Sequence, residues 1–293
     1  GGHAGLVDRA FDVARHLVLP GVTLGLFFTA VYVPKDKSQT YPMLLNRTPY
    51  SVRPYGVDNY RPDLGPSPLF GKEGYIFVYQ DVRGRWMSEG HHENMRPHLE
   101  QKAKRTDIDE STDTFDSIDF LVKNVPNNNG KVGMFGISYP GFYTAMGMID
   151  SHPALKAASP QAPVTDWFIG DDLHHNGAFF LSQNFDFFYR FAQRAEDPLH
   201  DDLKSFNFKT PDAYDFFLRM GPLGNSETQL LKGRSPEWKE FLAHPTYDAF
   251  WQARNIRPHL KNVRCAVMTV GGWYDAEDLF GPLETYRATE RQN

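Results

Sequence analysis

The stretch Lys131-Val132-Gly133-Met134-Phe135-Gly136-Ile137-Ser138-Tyr139-Pro140-Gly141 sets a serine between two glycines. A short apolar run after the turn at Asn127 to Gly130 reads as a strand, and the apolar pattern from Phe142 to Ile149 reads as a helix. Strand, sharp turn with serine at its tip, helix: a nucleophile elbow requires this context. Small neighbours let strand and helix approach, and the turn strains the serine backbone. The Ser138 hydroxyl would then stand above the carboxyl edge of a sheet. The Tyr139 amide would open the helix and point to where an oxyanion forms. The general pattern is Gly-x-Ser-x-Gly; in this chain Pro140 stands where the second glycine belongs, and the glycine follows at Gly141. The alternative is a Gly/Ser/Pro turn without chemistry.

The elements around the serine alternate. Thr23 to Val33, Met43 to Asn46, Tyr75 to Gln80, Leu155 to Ser159 and Val263 to Val270 read as strands. About Thr112 to Asn124 reads as a helix with Phe115, Ile118, Leu121 and Val122 on one face. This alternation predicts a mostly parallel α/β sheet. Arg47-Thr48-Pro49-Tyr50 directly follows a central strand, at the sheet edge where α/β proteins build their sites. From about Trp167 to Pro258 the sequence is aromatic and helical without strand signals. The expected organisation is a core over 1–166, an inserted helical cap over 167–258, and a second part of the core over 259–293.

Composition excludes several classes. The charge is 31 basic minus 36 acidic residues, or −5, with no basic stripe, so no nucleic-acid partner is expected. Leu17 to Val33 is apolar but shorter than the ~20 residues of a span and broken at Pro20-Gly21, so it reads as two early strands and no membrane partner is expected. The single Cys265 excludes an intrachain disulfide and fits a buried strand. His91-His92-Glu93 reads as surface loop, because adjacent histidines point apart and no third ligand is suitably spaced. Asp107-x-Asp109-x-Ser111-x-Asp113 mimics the start of a calcium loop but lacks its glycine and closing glutamate. Its carboxylates fit a helix start instead. No metal and no cofactor is expected.

Together these motifs carry a resemblance. Gly136-Ile137-Ser138-Tyr139-Pro140-Gly141 resembles the Gly-x-Ser-Tyr-x-Gly elbow of the cocaine esterase and X-Pro dipeptidyl peptidase family, which accounts for the displaced glycine. Arg47-Thr48-Pro49-Tyr50, Asp81-Val82-Arg83-Gly84, Asn124-Val125-Pro126, Gly170-Asp171-Asp172 and Trp273-Tyr274-Asp275-Ala276-Glu277-Asp278 resemble one branch, the α-amino acid ester hydrolases and glutaryl-cephalosporin acylases. The resemblance runs from about Thr29 to the end and is weak before it.

It implies an α/β-hydrolase fold with an inserted helical cap. Ser138 resembles the nucleophile and Asp275 the acid of a Ser-His-Asp triad. The Tyr50 hydroxyl and the Tyr139 backbone N–H resemble the oxyanion donors. Asp172, Glu277 and Asp278 match three carboxylates that bind a substrate α-ammonium group, and an ammonium beside a scissile carbonyl does need a partly buried anionic pocket. The implied reaction is acyl transfer from small-molecule esters or amides of α-amino acids, β-lactam-type transfer included. The resemblance also implies a periplasmic or secreted location and is compatible with a homo-oligomer. An X-Pro dipeptidyl peptidase-like enzyme and a glutaryl-type acylase remain as alternatives.

The chain departs from the pattern twice. Pro140 follows Tyr139 where the ester hydrolases carry an acid. No histidine follows Asp275, His259 being the last, and the family's C-terminal β-sandwich is absent. The chain therefore reads as the N-terminal part of a longer protein or as a truncated or decayed homologue. A non-catalytic ligand binder is the reading of a different class.

Overall fold

A computed structural model describes residues 11–13, 27–56, 58–104, 106–193 and 203–292. The strands in chain order are β1 (Phe11–Val13), β2 (Thr29–Pro34), β3 (Tyr41–Thr48), β4 (Ile76–Asp81), β5 (Asn128–Ile137), β6 (Leu155–Gln161), β7 (His174–His175), β8 (Ala178–Phe179) and β9 (Ala266–Val267). The chain divides into two compact units, Gly1–Thr165 with Ile256–Asn293, and Asp166–Asn255.

The first unit is built on one sheet of order β1-β2-β4-β3-β5-β6-β9. β4, β3, β5, β6 and β9 run parallel, and β2 joins β1 and β4 antiparallel. All six residues of β4, Ile76-Phe77-Val78-Tyr79-Gln80-Asp81, are buried, as in strands covered on both faces. Parallel strands send their carboxyl ends to one edge of the sheet. Thr48 pairs with Asp81, Ile137 with Gln161, and Gln161 bridges Val270. The segments carrying Tyr50, Ser138 and Asp275 therefore all leave from this edge.

Three helices of the unit follow from clear local signals. α1 (Pro68–Glu73) starts at Ser67, whose side chain accepts from the Leu69 amide. α2 (Glu110–Asn124) starts two residues earlier than its apolar pattern suggests, because Asp109 and Thr112 close a capping box. The carboxylates that mimic a calcium loop thus serve as a helix start. The buried face of α2 is also more polar than the pattern suggests. Ile118 and Leu121 are buried, but Phe115 is exposed, and Glu110, Asp113, Thr114 and Ser117 turn inward instead. They meet two buried arginines. Arg47 reaches Gln80 at 2.8 Å, Thr114 at 2.7 Å and Glu110 at 3.4 Å, while Arg83 grips Asp113 with two bonds of 2.9 and 2.5 Å. Burying these charges is tolerable because each is paired and hydrogen-bonded. α3 (Tyr139–Met148) follows the elbow, and all ten of its residues are buried.

Two strands differ from expectation. The early strand begins at Thr29 rather than Thr23, with residues 14–26 outside the described ones. The expected strand from Val263 to Val270 shrinks to Ala266–Val267 plus the bridge at Val270; among the described residues it lies last in the sheet and pairs with β6 alone. Cys265, just before it, is buried, and burial pushes its thiol up to about 11.

The second unit spans Asp166–Asn255, against the 167–258 expected for the insertion. It holds the β7–β8 hairpin, which no strand pattern announces, then α4 (Leu181–Phe191), α5 (Ala213–Met220), a π-helical turn (Ser226–Leu231), α6 (Pro236–Ala243) and α7 (Ala249–Arg254). Its core is aromatic. Phe185 packs edge-on against Phe206, Phe217 and Trp238, and Phe241 stacks on Trp251 at 5.5 Å. Trp238 satisfies its indole N–H on Ser226 at 2.8 Å. The chain closes with α8 (Phe280–Gln292) in the first unit. Among the described residues no helix is long and apolar enough to cross a membrane.

Candidate active site

Ser138 sits between β5 and α3 with φ 62° and ψ −123°. An L-residue with a side chain rarely adopts this conformation, which costs of order 1–3 kcal/mol and persists only where the surroundings hold it. The Ser138 amide donates to the Gln161 carbonyl at 2.9 Å, and its own carbonyl accepts from the Phe142 amide at 3.0 Å. The flanking glycines are there for space. A Cβ on Gly136 would lie 2.2 Å from the Pro140 carbonyl oxygen, and one on Gly141 would lie 2.5 Å from the Gln161 carbonyl oxygen. Glycine at 141 therefore serves helix–strand contact, not the turn itself, which is why Pro140 can take the position before it. The Ser138 side chain makes no capping bond to α3, and its hydroxyl has no hydrogen-bond partner among the described residues.

Tyr139 presents its backbone amide next to the turn. As the first residue of a helix its amide has no acceptor within the helix and lies at the positive end of the dipole. Its side chain turns into the core. The ring is 2% exposed, its hydroxyl donates to Asn94 Oδ1, and the hydroxyl oxygen itself accepts from the Met95 amide at 2.8 Å. Burial pushes this phenol far above its ordinary range, so it stays neutral. The loop 91–95 thus anchors the elbow from below, a role no motif signals. His91 is exposed, but His92 faces inward, its Nε2 3.5 Å from the Tyr143 hydroxyl. Burial, with Arg85 and Arg96 nearby, pushes His92 down to about 3. The surface-loop reading therefore fits His91 and misses His92.

Tyr50 stands at the tip of the loop after β3, 41% exposed, its ring edge-on to that of Tyr139 with centroids 6.1 Å apart. The loop behind it is packed: Val52, Tyr55 and Leu64 belong to the core cluster with Leu44 and Phe77. Of the motif residues beside Tyr50, Arg47 is structural, buried beneath the sheet edge.

Asp275 lies in the turn after β9. Its Oδ1 accepts from the amides of Glu277 and Asp278, both at 2.9 Å, and its own amide donates to the Gly272 carbonyl at 3.1 Å. Its Oδ2 makes no hydrogen bond among the described residues and is the oxygen that could orient an imidazole. Asp278 is buried and Glu277 half-buried in this same turn. Asp172 belongs to the second unit. It has φ 33°, and its carbonyl accepts from Asn184 Nδ2 at 3.0 Å. The turn before it is held by Asp166, whose carboxylate accepts from the Phe168 and Ile169 amides, both at 3.1 Å, and from the Tyr247 hydroxyl at 2.8 Å.

No described histidine hydrogen-bonds to Ser138 or Asp275. His98 faces Asp109, His152 faces Asp119, His244 faces Asp248 and His259 faces Glu100. His174 is buried in the second unit against Phe168, Phe179 and Trp251, and desolvation lowers its pKa. It is a core histidine.

Comparison with known proteins matches this architecture. The profile of the X-Pro dipeptidyl-peptidase (S15) family matches residues 26–293. Cocaine esterase of Rhodococcus sp. (strain MB1 Bresler) is 26% identical over 284 residues, covering 92% of this chain and 45% of that protein. An aminopeptidase from a marine sediment Thaumarchaeota archaeon superposes with a TM-score of 0.83 at 32% identity, over 97% of this chain and 46% of that one. A selenomethionine-labelled α-amino acid ester hydrolase superposes with a TM-score of 0.82 at 33% identity, again over 97% and 46%. The chain thus spans about half the length of these relatives and has the α/β-hydrolase fold. It belongs to the X-Pro dipeptidyl-peptidase (S15) family.

Proposed function

We propose that this chain carries the nucleophile of a serine hydrolase acting on esters, and on amides, of α-amino acids. The observation that carries the reading is the Ser138 backbone, held at φ 62° and ψ −123° between a parallel strand and a buried helix. Ser138 Oγ attacks the acyl carbon and gives its proton to a histidine base. Asp275 Oδ2 orients that base, which comes from outside the described residues. The oxyanion forms against the Tyr139 N–H and the Tyr50 hydroxyl. The alcohol or amine leaves with the proton from the imidazolium, and water or a second amine then takes the acyl group from Ser138. Transfer to a β-lactam nucleus is one case of the last step. Asp172, Glu277 and Asp278 supply negative charge for the α-ammonium group, in keeping with the 33% identity to an α-amino acid ester hydrolase. The described residues from 166 to 255 serve as the cap of this enzyme.

The test uses the complete gene product. A fluorophosphonate probe labels the wild type and leaves Ser138→Ala unlabelled, and turnover falls by roughly the 10⁶-fold typical of triad serines. Equal labelling of both would refute the assignment. The family match and the 32% identity to an aminopeptidase favour a second reading, release of X-Pro dipeptides. A panel of α-amino esters against X-Pro anilides separates the two, since the ester carries its ammonium on the carbon next to the scissile carbonyl and the anilide carries it one residue further away, before a proline.

A further inference from the structure

A phenol that must meet an oxyanion has to be held, and Tyr50 is half out in solvent at a loop tip. The strand next door holds it. Asp81 ends β4, directly across the ladder from Thr48 at the end of β3. It is fully buried. Its Oδ1 accepts from the Val52 amide at 3.0 Å. Its Oδ2 accepts from the Tyr55 hydroxyl at 2.7 Å and from the Met87 amide at 3.4 Å. Val52 and Tyr55 lie on the limb of the loop that returns from Tyr50, so one carboxylate grips that limb twice and ties it to the next loop. The outgoing limb is held separately. The Tyr50 amide donates to Thr48 Oγ1 at 3.0 Å, and the Pro49 carbonyl accepts from Trp86 Nε1 at 2.9 Å and Arg85 Nε at 3.2 Å. Between the limbs Ser51 has φ 89°, and its hydroxyl meets that of Tyr55 at 3.0 Å.

The choice of residue is informative. Asp81 forms no ion pair among the described residues; its partners are two amides and a phenol. A buried charge of this kind is costly, and a neutral side chain would serve packing at lower cost. An ionised carboxylate accepts from all three donors with no proton of its own to place. Burial pushes Asp81 up to about 7. The titratable groups facing it are Tyr55, whose phenol burial pushes far up, and Arg85, whose charge favours ionisation.

We propose that Asp81 is a positioning residue for catalysis: its carboxylate clamps Val52 and Tyr55 and so fixes the Tyr50 hydroxyl beside the elbow. The inference rests on the reading of Tyr50 as an oxyanion donor. When Asp81 takes up a proton, its hydroxyl faces the amide donors of Val52 or Met87, or is met only if Tyr55 turns its own hydroxyl from donor to acceptor, so the clamp loses bonds and Tyr50 is displaced.

The experiment is a double-mutant cycle in the complete gene product, with an α-amino acid ester as substrate and kcat, KM and their pH dependence as readouts. Asp81→Asn lowers kcat by about 10- to 100-fold, the cost of a misplacement of about 1 Å, with KM nearly unchanged. In a Tyr50→Phe background the same change costs less than about threefold more, because the hydroxyl it positions is already gone. The histidine base gives both proteins a pH step of its own, so the ratio of wild-type to Asp81→Asn kcat is the readout: it falls toward one as the pH drops below about 7, where Asp81 is protonated. If Asp81→Asn fails to fold by circular dichroism, Tyr55→Phe replaces it in the cycle, deleting one clamp bond and keeping the carboxylate. An equal loss with and without the Tyr50 hydroxyl overturns the inference and leaves the role of Tyr50 intact. A Tyr50→Phe variant with unchanged kcat removes the oxyanion reading itself, and this inference with it. Wild-type protein that turns over no ester does the same before any variant is made.

Discussion

Ser138 holds its backbone in a conformation its own side chain disfavours. Under the proposed function that cost is kept because the strained turn presents the hydroxyl at the sheet edge. Replacing the serine with glycine keeps the turn and removes the penalty. Ser138→Gly should therefore raise stability by about 1 kcal/mol while abolishing turnover, read as a higher denaturant midpoint at unchanged m-value. A midpoint that stays or falls would mean that the elbow is unstrained. Tyr50 makes the complementary case. Tyr50→Phe keeps the edge-on ring contact to Tyr139 and deletes one donor. Its kcat should drop by about 10²–10³, with KM little changed. A kcat within about threefold of wild type would reduce Tyr50 to packing.

At the scale of elements, α2 shows how charge patterning and capping work together. Asp109 is buried at the helix start, where burial alone would raise its pKa. Bonds from His98, the Leu99 amide and the Thr112 amide, with Lys102 beside it, outweigh burial and hold the carboxyl below the usual carboxylate range. A depressed folded pKa contributes stability that is fully present above the unfolded value of 3.8 and is lost as pH falls below it. Asp109→Asn should thus be less stable than wild type at pH 6, and the gap should close as the pH is lowered past 4 toward the depressed folded value. Urea midpoints of the two proteins along that pH series check it, and a constant gap would show that the charge of Asp109 does not matter.

At the scale of the molecule, apolar side chains stand exposed near the carboxyl ends of β5 and β9. Ile137 and Met268 are each 62% exposed, Trp273 78% and Tyr274 100%. Ile137 and Val270 both neighbour Gln161 across the ladder, so these side chains extend one surface past the last strand. Water on so much contiguous apolar area is unfavourable. The 293-residue chain by itself should bind the dye ANS and associate in sedimentation velocity runs. Met268→Lys with Trp273→Ser should weaken both. Unaltered association of that double variant would place the sticky surface elsewhere.

Much of this was legible in local sequence because it obeys local rules. The elbow, the central strands, the body of α2 and the edge on which the loops gather follow from short-range periodicity and the parallel order. What the sequence could not show is which polar residues turn inward. Arg47, Asp81, Arg83 and Asp113 find partners on other elements, from Val52 for Asp81 to Thr114 for Arg47, and these exist only once β3, β4 and α2 are packed. The same holds for Phe115, displaced outward by that polar face, for His92, drawn inward to Tyr143, and for the hydroxyl of Tyr139, claimed by Asn94 and Met95. Periodicity reads burial along one element. A buried charge is satisfied across several, so only the tertiary structure decided that Asp81 would hold a loop and that Ser138 would be held in strain.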